Sequence, residues 1–186
     1  MIGFFKELKK RKEIKKSIEE HKQNQLRYME MSSSELNSLT DNELFEAALV
    51  RTEEKVDHFE FERILDGVST LSHAEQVFYV TSYYETEVNN GGLCQFFVNS
   101  SRIFVPLVAD CLDEISAVKH KALFVQFIQD NGIDLNDLSS FMIDSVKDYE
   151  AQTRRYPFDD FDNAFFQLKP IQDLLPSYIR AHISEF

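Results

Sequence analysis

Only nine of the 186 residues are glycine or proline, 5 and 4 respectively, and this scarcity constrains the fold more than any other feature. A sandwich or barrel of short strands needs turn residues at frequent intervals. Between the few breaks the apolar residues recur at helical spacing. Val77, Val80, Thr81, Tyr84 and Val88 mark one face of a helix that opens at Ser72-His73-Ala74-Glu75. That opening is a capping box, in which the serine hydroxyl accepts from the glutamate amide and the glutamate reaches back. Thr40-Asp41-Asn42-Glu43 is a second box, and it opens a helix over 41–56 with Leu44 and Ala48 on one face.

The remaining breaks divide the chain in the same way. Asn89-Asn90-Gly91-Gly92 stops the helix begun at Ser72, and a short one over 93–99 follows. Pro106 sits as a first-turn proline of a helix reaching Ile115. The next helix, over 117–130, ends at Asn131-Gly132. Residues 136–155 read as one helix with Leu138, Phe141, Met142, Ser145 and Tyr149 on its inner face, ended by Tyr156-Pro157. Two short helices over 159–168 and 170–184 complete the chain. The expected fold is all-α: a compact domain of about seven to nine helices, preceded by a long basic amphipathic helix.

Charge separates those two parts. Residues 1–30 hold 9 Lys/Arg against 5 Asp/Glu, a net of +4, and residues 31–186 hold 11 against 27, a net of −16. Phe4, Leu8, Ile14, Ile18, Leu26 and Met29 share one helical sector, with Lys9, Lys12, Lys16 and Arg27 largely outside it. Ser32-Ser33-Ser34 breaks the helix, so the organisation is 1–31 as a basic helix and 32–186 as an acidic helical domain. Apolar residues make up 43% of the chain and 17 residues are Phe, which suffices for a real core.

Known chemistries find no footing. His21, His58, His73, His120 and His182 are scattered, with no HxxxH pair to hold zinc. There is no phosphate-cradling glycine loop and no nucleophile elbow. Glu85 and Glu87 lie two apart, so on a helix they point in different directions and make a poor acid–base pair. Cys94 and Cys111 form no CxxC and read as reduced thiols in a cytoplasmic protein. No segment approaches the roughly 18 apolar residues that span a bilayer. The expectation is a binding protein without enzyme activity, cofactor or metal.

The unusual local sequence runs from Glu87-Val88-Asn89-Asn90-Gly91-Gly92 through Gln95, Phe96, Phe97 and Asn99 to Ser100-Ser101. A tight helix corner, with asparagines meeting loose backbone groups, is preferred over a polar ligand site. This segment resembles the signature of the bacterial DNA-mimic protein family, in its C-terminal domain. Tyr156-Pro157-Phe158-Asp159-Asp160-Phe161-Asp162, with the closing stretch Tyr178 to Phe186, is similar to that family's final turn and helix. The resemblance covers 40–186. It implies an all-helical domain whose acidic surface imitates duplex phosphates and occupies the DNA-binding face of a transcription regulator.

Charge density decides what such mimicry requires. A body at −16 with about 8,000 Å² of surface carries roughly one net charge per 500 Å². Duplex DNA carries roughly one per 100 Å². The acids must therefore cluster, and they do. The candidate partner-binding set is Glu43, Glu46, Glu53, Glu54, Asp57 and Glu60 in the first segment, Asp137, Asp144 and Asp148 in the second, and Asp159, Asp160 and Asp162 in the third. The expected partner is a basic protein such as a DNA-binding regulator, with no direct nucleic-acid contact. An immunity or regulatory interaction, with acidity serving solubility, and a small ligand at the NNGG corner are the alternatives. Helix 1–30 has three options: folding back on the acidic body, dimer packing, or, as the lesser expectation, contact with an anionic membrane. Monomer and homodimer both remain open.

Overall fold

The computed structural model describes residues 22–56, 59 and 63–186. They form α1 (22–30), α2 (Ser33–Asn37), α3 (Asp41–Val56), α4 (Ile64–Ser69), α5 (His73–Val98), α6 (Val105–Glu114), α7 (Val118–Asp130), α8 (Val146–Arg155), α9 (Phe158–Phe165) and α10 (Leu175–Ala181). Short 3-10 turns occur at Ser100–Phe104, Ser139–Phe141 and Ile171–Asp173. Among the described residues there is no strand, and the fold is all-helical. No single described helix is long and apolar enough to cross a membrane.

The helix α5 organises the rest. Its capping box forms as the sequence predicts: the Glu75 amide donates to Ser72 Oγ at 3.1 Å, and Ser72 N donates to Glu75 Oε2 at 3.0 Å. Phe78, Tyr84, Phe96 and Phe97 from this one helix are fully buried. Tyr84 alone meets Phe96, Phe124 and Phe165 edge-on, at centroid distances of 5.2, 5.6 and 5.9 Å. Edge-to-face contacts suit the ring quadrupoles, so aromatics supply both area and geometry to this core. Both cysteines are free, and burial pushes Cys94 up to about 11 and Cys111 up to about 12. They stay protonated and unreactive at neutral pH.

Two arginines tie the early helices to this core. Arg51 of α3 donates to the Tyr28 carbonyl at 2.8 Å and to the carbonyls of Met31 and Phe186. Arg180 of α10 donates to the carbonyls of Asn37 and Leu39, at 2.7 and 2.8 Å, and pairs with Asp41 at 2.8 Å. A planar guanidinium presents five donors in a fixed fork, so it holds several carbonyls in one defined geometry.

Two local expectations are corrected and a third is extended. Residues 136–155 are not one helix. Asp134 and Asp137 accept from the backbone amides of Asn136 and Ser139 at 2.9 and 3.0 Å, which turns the chain instead. Phe141 is drawn into the core against Phe97 and Tyr156, whereas Met142, expected inside, is 65% exposed. Helix α8 starts afresh at Ser145, whose hydroxyl accepts from Asp148 N. In α1 the side chain turned into the body is Tyr28, and Leu26 and Met29, expected on the apolar face, are exposed. The part of the basic helix over 1–21 lies outside the described residues. Finally, the serine run does more than break a helix, because Ser32 and Glu35 form a capping box that opens α2.

Candidate partner-binding surface

The periodicity of α9 sets its acids outward. Phe158, Phe161 and Phe165 fall three and four residues apart and are buried. Phe158 and Phe161 pack on Phe127 of α7 at 5.3 and 5.4 Å between centroids. Asp159 and Asp160 are then forced to the exposed side, in the first turn, where carboxylates also suit the helix dipole. Asp130 at the end of α7 and Asp160 line one shallow cavity of about 230 Å³, floored by Phe127 and Phe161. Asp130 and Asp160, from different helices, thus adjoin. Tyr149 of α8 lies on the same side, close enough to Cys94, Asp162 and Asp159 for them to add to the burial that raises its hydroxyl.

Asp137 and Asp148 are engaged in local caps. Asp148 Oδ2 accepts from Ser145 Oγ at 2.7 Å and from Asp144 N at 3.3 Å. The Ser145 bond holds the Asp148 carboxyl below its usual range, and the Ser139 bond does the same for Asp137. Both therefore stay charged, although their lone pairs are partly occupied. Asp144 is exposed just before α8.

The acids of α3 occupy another part of the surface. Glu43 caps its own helix through Thr40, and Glu46 accepts from the Tyr28 hydroxyl at 3.2 Å. Glu53 and Glu54 are exposed beside Lys22, Leu26 and Val50. Tyr83 feels Glu53 as well as Glu87, since both add to the burial that raises its hydroxyl. Asp57 and Glu60 lie outside the described residues. Helix α3 meets α5 at Phe78 through Phe45, whereas α9 meets it at Leu93 through Asp162. Twelve residues, about 18 Å of helix, separate Phe78 from Asn90 at the bend.

Behind the acidic end is the NNGG corner, which is a packed joint. The helix bends at Gly91 and Gly92, where φ is −158° and +77°. Gly92 combines that φ with ψ of 175°, a region that is essentially glycine-only. A side chain there would also meet Asp162 Oδ2 at 2.1 Å. Asp162 Oδ1 accepts from Leu93 N at 2.8 Å and so caps the half-helix that restarts after the bend. Its carboxylate is turned inward, and burial raises its pKa. Gln95 and Asn99 both donate to Glu87 Oε2, at 2.9 and 3.0 Å. Phe96 and Phe97 are buried, and Asn89 and Asn90 face solvent.

Glu85 is likewise taken up by the backbone. Its two oxygens accept from the amides of Ile171 and Gln172 at 2.6 and 2.7 Å, which caps the turn leading to α10. Burial still raises its pKa against those bonds. No group of three or more His, Cys, Asp or Glu among the described residues is arranged to hold a metal.

The family model for DMP19-like protein matches residues 69–182, which is more than half of the chain. This chain belongs to the DMP19-like protein family. The matched segment runs from the end of α4 to just beyond α10, so it contains the corner, the acidic end and Arg180, but not α1 to α3. No curated protein matches the chain, and no solved structure does.

Proposed function

We propose that this member of the DMP19-like protein family acts by binding, with the α7–α9 end imitating duplex phosphates on the DNA-binding surface of a basic regulator. The observation that carries this reading is the exposed group of Asp130, Asp159 and Asp160 on a rigid aromatic base. Phosphates on DNA are fixed in space, and a mimic needs carboxylates that are equally fixed. Phe158, Phe161 and Phe165 hold α9 against α7, so two of these acids cannot drift apart without breaking the core. The charges are exposed, so they steer encounter and give salt sensitivity more than raw affinity.

The test is a pull-down with the full chain from its native host, at low and high salt, with identification of captured proteins. A basic DNA-binding protein retained at low salt and released as salt rises supports the reading. The variant Asp130→Asn/Asp159→Asn/Asp160→Asn should lose that protein while remaining folded, with only the small fall in melting temperature that loss of two first-turn carboxylates brings. Capture that is indifferent to salt, or to the triple variant, would overturn it.

A further inference from the structure

The corner between α6 and α7 has an unusual electrostatic composition for so acidic a chain. Helix α7 starts at Val118 with no side-chain cap, and the amides of Val118, Lys119 and His120 have no acceptor among the described residues. Its first turn contains no acid and carries Lys119, His120 and Lys121 instead. Cations at a helix N-terminus oppose the dipole, which favours negative charge there. Lys121 is paired with Asp113 at 3.0 Å. Lys119 and Lys169 have no carboxylate partner among the described residues, in a chain of net charge −12. Both line a cavity of about 390 Å³ over the start of α7, together with Ser116 and Gln167.

A second observation points to a ligand. His120 is only 4% exposed and lines the same cavity, and neither ring nitrogen has a hydrogen-bond partner among the described residues. One face of its ring is fixed by an edge contact with Phe165 at 5.2 Å. The ring nitrogens are not among the fully buried side-chain atoms that lack a partner, so the little exposure that His120 keeps includes them, and a group entering the cavity can reach them.

We propose that this corner binds a small organic anion, a carboxylate or phosphate monoester. The oxyanion sits against the free amides of α7, Lys119 and Lys169, and takes a hydrogen bond from His120. Fixed amides and flexible ammonium groups are a common pairing for such an oxyanion. The cavity is larger than an inorganic phosphate needs, and Val118, Leu168 and Leu174 supply an apolar wall for the rest of the molecule. Glu114 and Asp173 line the adjoining cleft, which shares Ser116 and Lys169, and they limit the charge that the site accepts. The site is separate from the acidic end, so it stands or falls independently of the DNA-mimic reading.

The experiment is a titration of the ¹⁵N-labelled full chain with phenyl phosphate and, separately, with benzoate, at constant ionic strength. Saturable shifts of the Val118, Lys119 and His120 amides are expected with at least one probe, and the arm that saturates names the oxyanion. Lys119→Ala/Lys169→Ala, both exposed positions, should weaken binding about tenfold or more. The His120 ring should titrate at higher pH with the probe bound. Absence of saturation with both probes, equal binding by the double variant, or identical shifts produced by sodium chloride would each overturn the proposal.

Discussion

Two helix starts in this molecule face the same physical problem and solve it in opposite ways. The half of α5 that begins after Gly92 must satisfy its first amides, and α9 brings a carboxylate, Asp162, to do so. Helix α7 begins at Val118 with the same free donors, but among the described residues no acid caps it, and Lys119 and Lys169 line the cavity over it. The first start is closed by the protein's own anion, and nothing can enter without displacing Asp162. The second is open to an outside anion. Similar backbone chemistry thus makes a structural joint in one place and a receptive surface in the other. The difference comes from which side chains tertiary packing delivers.

That comparison can be broken most forcefully at the bend. Gly92→Ala should cost about 3 kcal/mol or more, because the backbone region excludes a side chain and the new carbon would run into Asp162. For a chain of this size that is a fall of roughly 6–12 °C in melting temperature, readable by calorimetry. Little change would mean that Gly92 is not held as described. Asp162→Ala comes next, at about 2 kcal/mol, since it leaves the Leu93 amide unsatisfied. Denaturant unfolding of Asp162→Ala and Asp162→Asn would show whether an acceptor or a charge is needed there.

A pH experiment sharpens the other side. Burial holds the His120 pKa below its ordinary 6.5. The unfolded chain therefore takes up a proton that the native ring refuses as pH falls through 6.5 toward the folded value. This contribution to stability is fully present above 6.5 and is lost as pH falls through that window. Phenyl phosphate bound in the same cavity would favour the protonated ring and should reduce the loss. Melting temperatures between pH 5 and 8 for the parent and His120→Gln would isolate the effect. The smallest change is Lys119→Glu, which gives α7 a first-turn acid of its own. It should stabilise the free protein by about 0.5 kcal/mol and abolish the response to phenyl phosphate. Destabilisation instead would mean that the start of α7 is not electrostatically exposed.

Much of the fold was legible because helices announce their ends locally. Ser72 with Glu75 and Thr40 with Glu43 are contacts within one turn, and both form. The helix across 136–155 failed for the complementary reason. Apolar spacing continues through it, but Asp134 and Asp137 offer the backbone a competing turn, and the need to bury Phe141 decides the contest. Tyr28 was likewise invisible as a core residue, because its burial depends on Arg51, 23 positions later, seizing its carbonyl. Of the acidic segments, sequence found their positions, whereas the meeting of Asp130 and Asp160 over one cavity required the packing of α9 on α7.

By itself the sequence determined an all-helical chain, the breaks at Asn89–Gly92 and Asn131-Gly132, and an acidic body of −16. These follow from spacing, turn chemistry and counting, all of which act within a few residues or not at all through space. Only the tertiary structure decided that Asp162 faces inward to Leu93, that Glu85 caps a turn 86 residues away, and that Lys119, His120 and Lys169 share one cavity. Each of those depends on which side chain arrives beside an unsatisfied amide or a free charge. Helix packing settles that, because a buried donor must find an acceptor wherever the chain can bring one.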